Sequence, residues 1–194
     1  MITIIGLGNP GKEYAGTRHN SGRDTALYFA KKSAQDEPAD WYLNKKANAL
    51  TSEFKVGKEK VFMALPETFM NKSGGAVVKL VRTKKENKNL IVIHDDLDMP
   101  VGRVKISYGK NSGGHKGVES VMRAIKTKNF VRIRIGICPV SGRKPDQKKL
   151  LNFIVGKFSP TEQQIIKKVQ KHIAEALEVM ITNSLEHAMS EFNC

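Results

Sequence analysis

LIVIHDDLD, residues 90–98, governs the reading of the chain. Leu90 to Ile93 is an unbroken apolar run, the pattern of a strand covered on both faces, as in a parallel sheet layered between helices. The run stops at His94-Asp95-Asp96, so the strand is expected to end there with polar side chains at its carboxyl end. Working outward, Ile2 to Leu7 reads as a second short buried strand, and Ala49 to Val56 with Lys60 to Leu65 as a hairpin closed by the Gly57-Lys58-Glu59 turn. Val104 to Tyr108 and Phe130 to Ile137 read as further strands. Between them fall helical patterns at Ser21 to Lys32, Met70 to Val81 and Gly117 to Ile125. Thr68 is the expected N-cap of the second, and Gly74-Gly75 inside it weighs against a regular helix. Ser159-Pro160-Thr161-Glu162 starts a last amphipathic helix running to about Ile181. Alternating helices and strands in 194 residues predict a single α/β domain, a mixed central sheet flanked by helices.

Lysine and arginine outnumber aspartate and glutamate by 33 to 19, a formal charge of +14. Polyanions are the natural partners of such an excess. The cations are spread through Lys45-Lys46, the 84–88 stretch, Lys148-Lys149 and Lys167-Lys168, which suits a folded basic surface better than a basic arm. Composition alone leaves a merely basic exterior equally open. Cys138 and Cys194 share no metal-ligand spacing and are expected as thiols in a reducing compartment, the cytoplasm by default. The apolar run at the N-terminus stops at Gly6, too early for a signal peptide, and no segment approaches membrane-spanning length.

Gly6-Leu7-Gly8-Asn9-Pro10-Gly11 matches GxGxxG, but loop rather than helix follows it and no acidic residue closes a next strand at the required distance. A tight loop presenting Asn9 and Tyr14 above the first strand is the better reading. In open α/β sheets ligands bind beyond the carboxyl ends of the strands, which brings Asn9, Asp95 and the nearby His19 toward one crevice. A carboxylate beside a histidine fixes its tautomer and steadies its cation, so His19 with Asp95 is the candidate general base. Water is then the nucleophile, because neither GxSxG nor a cysteine signature is present. A histidine taken alone is more often a capping or core residue, which applies equally to His94 and His115. His94, Asp95, Asp96 and Asp98 form a ligand-like cluster, but the sequence lacks HExxH spacing and a calcium-loop glycine, so no metal is expected. Asn9 and Asn71 could offer amides to a peptide or an oxyanion. Phe69 and Met70 read as groove or core lining, or as a stacking surface for an unpaired base.

Taken together, GLGNPGKEYAGTRHNSG at 6–22, PETFMNKSGGAV at 66–77, IHDDLDMPVGRVK at 93–105, SGGHKGVES at 112–120, FVRIRIGI at 130–137 and NFIVGKFSPTE at 152–162 resemble the bacterial-type peptidyl-tRNA hydrolases over nearly the whole chain. The resemblance implies an α/β monomer that hydrolyses the ester between peptide and tRNA without cofactor or metal. It implies that His19 is the catalytic base and Asp95 its supporting carboxylate. Asn9 would distinguish peptidyl-tRNA from aminoacyl-tRNA, Tyr14, Phe69 and Asn71 would bind the peptide and the 3′ end, and Arg134 would meet phosphate. Met70, Gly114, His115 and Lys116 fall with them among the expected substrate-binding residues. Two positions depart from the family pattern. Lys116 stands where an asparagine is usual; a cation close to His19 would disfavour its imidazolium, and the alternatives are a hydrogen bond to the oxyanion or a side chain turned to solvent. Ser107 stands where the best-known members carry a phosphate-binding lysine, leaving Lys105 or Lys110 to take that role. An RNA-binding relative without catalysis is the rival reading.

Overall fold

The strands are β1 (Ile2–Gly6), β2 (Tyr42–Asn44), β3 (Ala49–Val56), β4 (Glu59–Pro66), β5 (Leu90–Pro100), β6 (Val104–Tyr108) and β7 (Val131–Cys138). The helices are α1 (Ser21–Ser33), α2 (Ser73–Leu80), α3 (Lys84–Lys88), α4 (Lys116–Ile125), α5 (Gln147–Ile154), α6 (Pro160–Thr182) and α7 (Leu185–Phe192). The structure is a computed structural model describing residues 1–33, 39–81 and 83–193. Of the two cysteines, Cys138 is a buried free thiol and Cys194 lies outside the described residues.

All seven strands join one sheet in the order β2-β3-β4-β1-β5-β7-β6. β1 runs parallel to β4 and β5, and β5 parallel to β7, while the β2-β3, β3-β4 and β6-β7 pairs are antiparallel. Side chains alternate between faces along a strand, so neighbouring apolar residues of one strand serve opposite layers. Ile4, Ile93 and Ile133 join Phe29 of α1 and Ile173 and Leu177 of α6. Ile5 and Val92 join Val77 of α2 and Val118 and Val121 of α4. This two-sided burial is the cause of the unbroken LIVI run.

Three expectations need correction. β5 does not stop at His94; it continues extended to Pro100 because β7 keeps pairing with it as far as Asp96↔Gly136, with an irregularity before Pro100↔Cys138. A Cβ on Gly136 would strike the Pro100 carbonyl, so only glycine admits this approach. The expected helix from Met70 to Val81 opens as a single 3-10 turn, Met70–Lys72, before α2, and Phe69 rather than Thr68 sits at its N-cap. Within Gly11–Gly16, expected as loop, Lys12–Tyr14 forms another 3-10 turn. The segment after Ile181, about which the sequence supported no expectation, folds as well: Ser184 caps α7 through the His187 N–H, and Phe192 is buried. Asn193 beyond it accepts from the Ile106 N–H at 2.6 Å and donates to the Ile106 carbonyl at 3.2 Å, standing in for a neighbouring strand on the open edge of β6.

The glycine pair in α2 divides in function. Gly74 lies on the α4 backbone, where a Cβ would collide with the Ser120 carbonyl, and its N–H donates to Ser120 Oγ at 3.0 Å. A Cβ on Gly75 would meet open space. Gly74→Ala should therefore lose about 1–3 kcal/mol of stability in urea unfolding. Gly75→Ala should gain about 0.5–1 kcal/mol. Equal effects at the two positions would contradict the close approach of α2 and α4.

Candidate active site

Gly22 sets the geometry of the site. A Cβ there would strike the Ile93 carbonyl, so its absence lets the start of α1 lie against β5 two residues before Asp95. The preceding 3-10 turn, Arg18–Asn20, is thereby brought to the β5 end. Asn20 clamps the glycine loop after β1 by accepting from the Asn9 N–H and donating to the Asn9 carbonyl, both at 2.9 Å. Arg18 bonds the Lys157 carbonyl and Glu162 and lies 4.3 Å from the Phe153 ring centroid, tying the same turn to the α5–α6 connection.

Between these elements Asp95 is almost wholly buried and receives two imidazoles. His19 Nδ1 lies 2.9 and 3.0 Å from the two carboxylate oxygens, and His115 Nε2 lies 2.8 Å from Oδ1. The tautomers follow from the remaining partners. His115 Nδ1 accepts from the Gly117 and Val118 N–H groups as the N-cap of α4, so its Nε2 carries the proton given to Asp95. His19 donates through Nδ1, which leaves Nε2 with a lone pair. His94 Nδ1 donates to the Asp95 backbone carbonyl at 2.7 Å, and Arg132 Nη1 lies 3.5 Å from its Nε2.

Charge and burial oppose each other here. Burial would push the Asp95 carboxyl up, but the facing His19 and His115 outweigh it and hold the group well below the usual carboxylate range. Burial pulls His19 down, and the Asp95 charge and hydrogen bond more than reverse this, raising it above its ordinary 6.5. His94 is driven well below 6.5, by burial first and then by His115 and Arg132, and stays neutral.

Among the described residues, His19, Asp95 and His115 are the group near enough to hold a metal ion. The donor set fits poorly, because His115 Nε2 bears a proton where a ligand needs a lone pair. In the acidic cluster singled out from the sequence, Asp96 pairs with Arg134 at 2.6 Å and Asp98 with Lys144 at 2.5 Å.

A cleft of about 320 Å³ opens over the pair, lined at its polar end by His19, Asp95, Gly114, His115 and Lys116 and on its apolar side by Leu97, Leu150 and Ile154. The other expected residues do not line it. Asn9 Oδ1 accepts from the Met70 N–H at 2.9 Å, which fixes the amide and leaves its NH2 as the group it presents. Met70 is buried beneath Gly117, Phe69 is 58 % exposed, Asn71 is exposed and Tyr14 half-buried. Arg134 lies apart, on a second hollow of about 460 Å³ shared with Arg103, Lys105 and Asn193. Lys105 stands directly opposite Arg134 in the β6-β7 register. Ser107 is buried, its hydroxyl without a partner among the described residues, and Lys110 is exposed.

Of the alternatives open for Lys116, the structure has the side chain turned to solvent: its ammonium pairs with Glu119 at 3.2 Å and its side chain is 72 % exposed. Sequence reasoning missed Arg132, although alternation in FVRIRIGI sets it opposite the core face. It also missed α5, whose short amphipathic pattern lacks a bonded cap.

A family model described as peptidyl-tRNA hydrolase matches residues 3–194. Proteins named peptidyl-tRNA hydrolase from Dehalococcoides mccartyi and Caldanaerobacter subterraneus are 38 % identical over 199 residues and 39 % over 194, each alignment covering 100 % of both chains. A crystal structure of peptidyl-tRNA hydrolase from Acinetobacter baumannii gives a TM-score of 0.90 at 28 % identity, covering 100 % of this chain and 95 % of that one.

The pKa directions have a measurable sign. Because His19 is raised above 6.5, its contact with Asp95 stabilises the fold fully below that pH and ceases to do so as pH climbs through the raised value. An imidazole NMR titration should place His19 above 6.5 in the wild type. In Asp95→Asn burial is left unopposed and the midpoint should fall below 6.5. An unchanged midpoint would remove Asp95 as the cause.

Proposed function

The chain belongs to the peptidyl-tRNA hydrolase family, and we propose that it cleaves the ester between a peptide's last residue and the tRNA 3′ ribose with His19 as general base. His19 Nε2 takes a proton from water as the water oxygen attacks the ester carbonyl. Asn71 and nearby backbone N–H groups steady the carbonyl oxygen as it gains charge. The ester C–O bond then breaks, and the His19 imidazolium returns its proton to the ribose oxygen, freeing peptide acid and tRNA. Asp95 holds the Nδ1–H and offsets the transient cation. The observation that carries this reading is the 2.9 Å contact of His19 Nδ1 with Asp95, in a cleft where Nε2 keeps its lone pair.

Roles for the surrounding residues belong to the same proposal. The Asn9 amide NH2 meets a peptide carbonyl that a free aminoacyl group lacks. Phe69 and Tyr14 receive the peptide and the 3′ end, the buried Met70 backs Gly117 in place of the direct contact expected of it, and Gly114, His115 and Lys116 form the polar rim. Arg134, with Lys105 opposite it in place of the lysine missing at Ser107, meets tRNA phosphate. Among the described residues no helix is long and apolar enough to cross a membrane. A single domain working as a cytoplasmic monomer, without metal or cofactor, completes the reading.

Turnover of N-blocked aminoacyl-tRNA tests it. His19→Ala should lower kcat by about 10²–10⁴ while tRNA binding persists. Turnover unchanged in His19→Ala would remove His19 as the base, and tRNA binding without turnover by the wild type would favour the non-catalytic rival.

A further inference from the structure

Arg132 is a charged group in the wrong place to meet a phosphate. It sits mid-strand on β7 at 3 % exposure, on the face opposite Val131 and Ile133. Among the described residues no carboxylate lies within ion-pair distance of it; Arg134 opposes its charge and Asp96, itself paired with Arg134, favours it from farther off. Burying a guanidinium unpaired is costly, so its acceptors carry the explanation. Nη2 donates to the Asn111 carbonyl at 2.7 Å, and Nη1 lies 3.5 Å from His94 Nε2.

Each acceptor leads to one half of the site. Asn111 opens the segment that turns through Gly113 at φ +64° and Gly114 at φ +79° to reach His115. His94 is fully buried, donates to the Asp95 carbonyl at 2.7 Å, and sets its ring edge-on to His115 with centroids 4.8 Å apart. We propose that Arg132 and His94 are positioning residues of the hydrolytic site. In this role the guanidinium bridges the glycine segment that delivers His115 and the strand end that delivers Asp95, fixing the shared carboxylate against His19. The proposal rests on the reading of His19 and Asp95 as the catalytic pair. Neutral His94 suits the role, since one nitrogen must donate to Asp95 while the other accepts from Arg132.

Arg134 supplies the contrast. Its side chain is 20 % exposed, ion-paired with Asp96, and opens on the basic hollow beside Lys105. Removing one phosphate-binding cation there should reduce the slope of log affinity against log salt by about 0.7–0.9. Arg132 reaches no phosphate, so substituting it should leave that slope unchanged and act on kcat.

The experiment compares Arg132→Met, Arg132→Lys, His94→Leu and His94→Asn with Arg134→Gln and His19→Ala, on N-blocked aminoacyl-tRNA over a salt series, with thermal melts as a folding control. Arg132→Met and His94→Leu are expected to lower kcat by about 10–100-fold with the wild-type salt slope. His94→Asn should recover most of the His94→Leu loss, because its amide reproduces a donor near Nδ1. Arg134→Gln should flatten the slope instead. Should Arg132→Met fail to fold, Arg132→Lys carries the test, keeping the charge but not the two-armed fork. The proposal is overturned if the folded Arg132 variants keep kcat within about twofold of wild type, if Arg132→Met flattens the slope as Arg134→Gln does, or if His94→Leu and His94→Asn behave alike. Retained turnover in His19→Ala would sink the catalytic reading instead, by a different variant.

Discussion

One buried carboxylate organises the candidate site of this molecule. Asp95 is removed from water yet stays ionised because two imidazole N–H groups point at it, and either alone would leave a lone-pair site on a buried anion unfilled. A buried anion is tolerated only where its donors are held in place. The donors arrive on backbone that has little freedom. His19 sits on a turn pinned by Gly22 against β5, and His115 is the N-cap of α4, with its second nitrogen committed to two helix N–H groups. The carboxylate thus dictates glycine at one position, a cap at another and an extended β5 between them.

The fold was legible because burial on both faces writes itself into composition. Leu90 to Ile93 marked the start of β5 and the alternating FVRIRIGI run marked β7, and Ser159 to Glu162 marked α6, where the capping box is present. The failures occur where tertiary contact overrides local pattern. HDDLD carries no apolar signal, yet it remains strand because Gly136 lets β7 follow it. Gly74-Gly75 looked like a defect in a helix, and half of it is the condition for α2 to touch α4. β2 has three residues, too few for any periodicity to be read.

At the site, the sequence identified the pairing of His19 with Asp95 but not the company it keeps. A histidine's role depends on what its second nitrogen meets, and that partner lies far away in sequence: α4 backbone for His115, Arg132 for His94. Lys116, one residue from His115, pairs with Glu119 a turn later. Proximity in sequence at a helix start says little about proximity in space, because the Cβ directions of adjacent helical residues diverge.

The net charge of +14 overstates the surface available to a polyanion. Several arginines serve the interior. Arg18 lies against Phe153 and Phe158 and bonds Glu162, Arg23 pairs with Glu67 and the Pro66 carbonyl, and Arg132 is buried beside His94. Arginine suits this work because its planar fork reaches several acceptors at once, whereas a lysine is a single hydrated point of charge. The division has a consequence for the cleft. Its polar end stands on sheet and helix starts tied by arginine, while Leu150 and Ile154 belong to α5, a helix with no buried residue. Fixed geometry therefore lies under the His19–Asp95 pair, and the apolar wall across the cleft is carried by a helix whose side chains are at most partly buried.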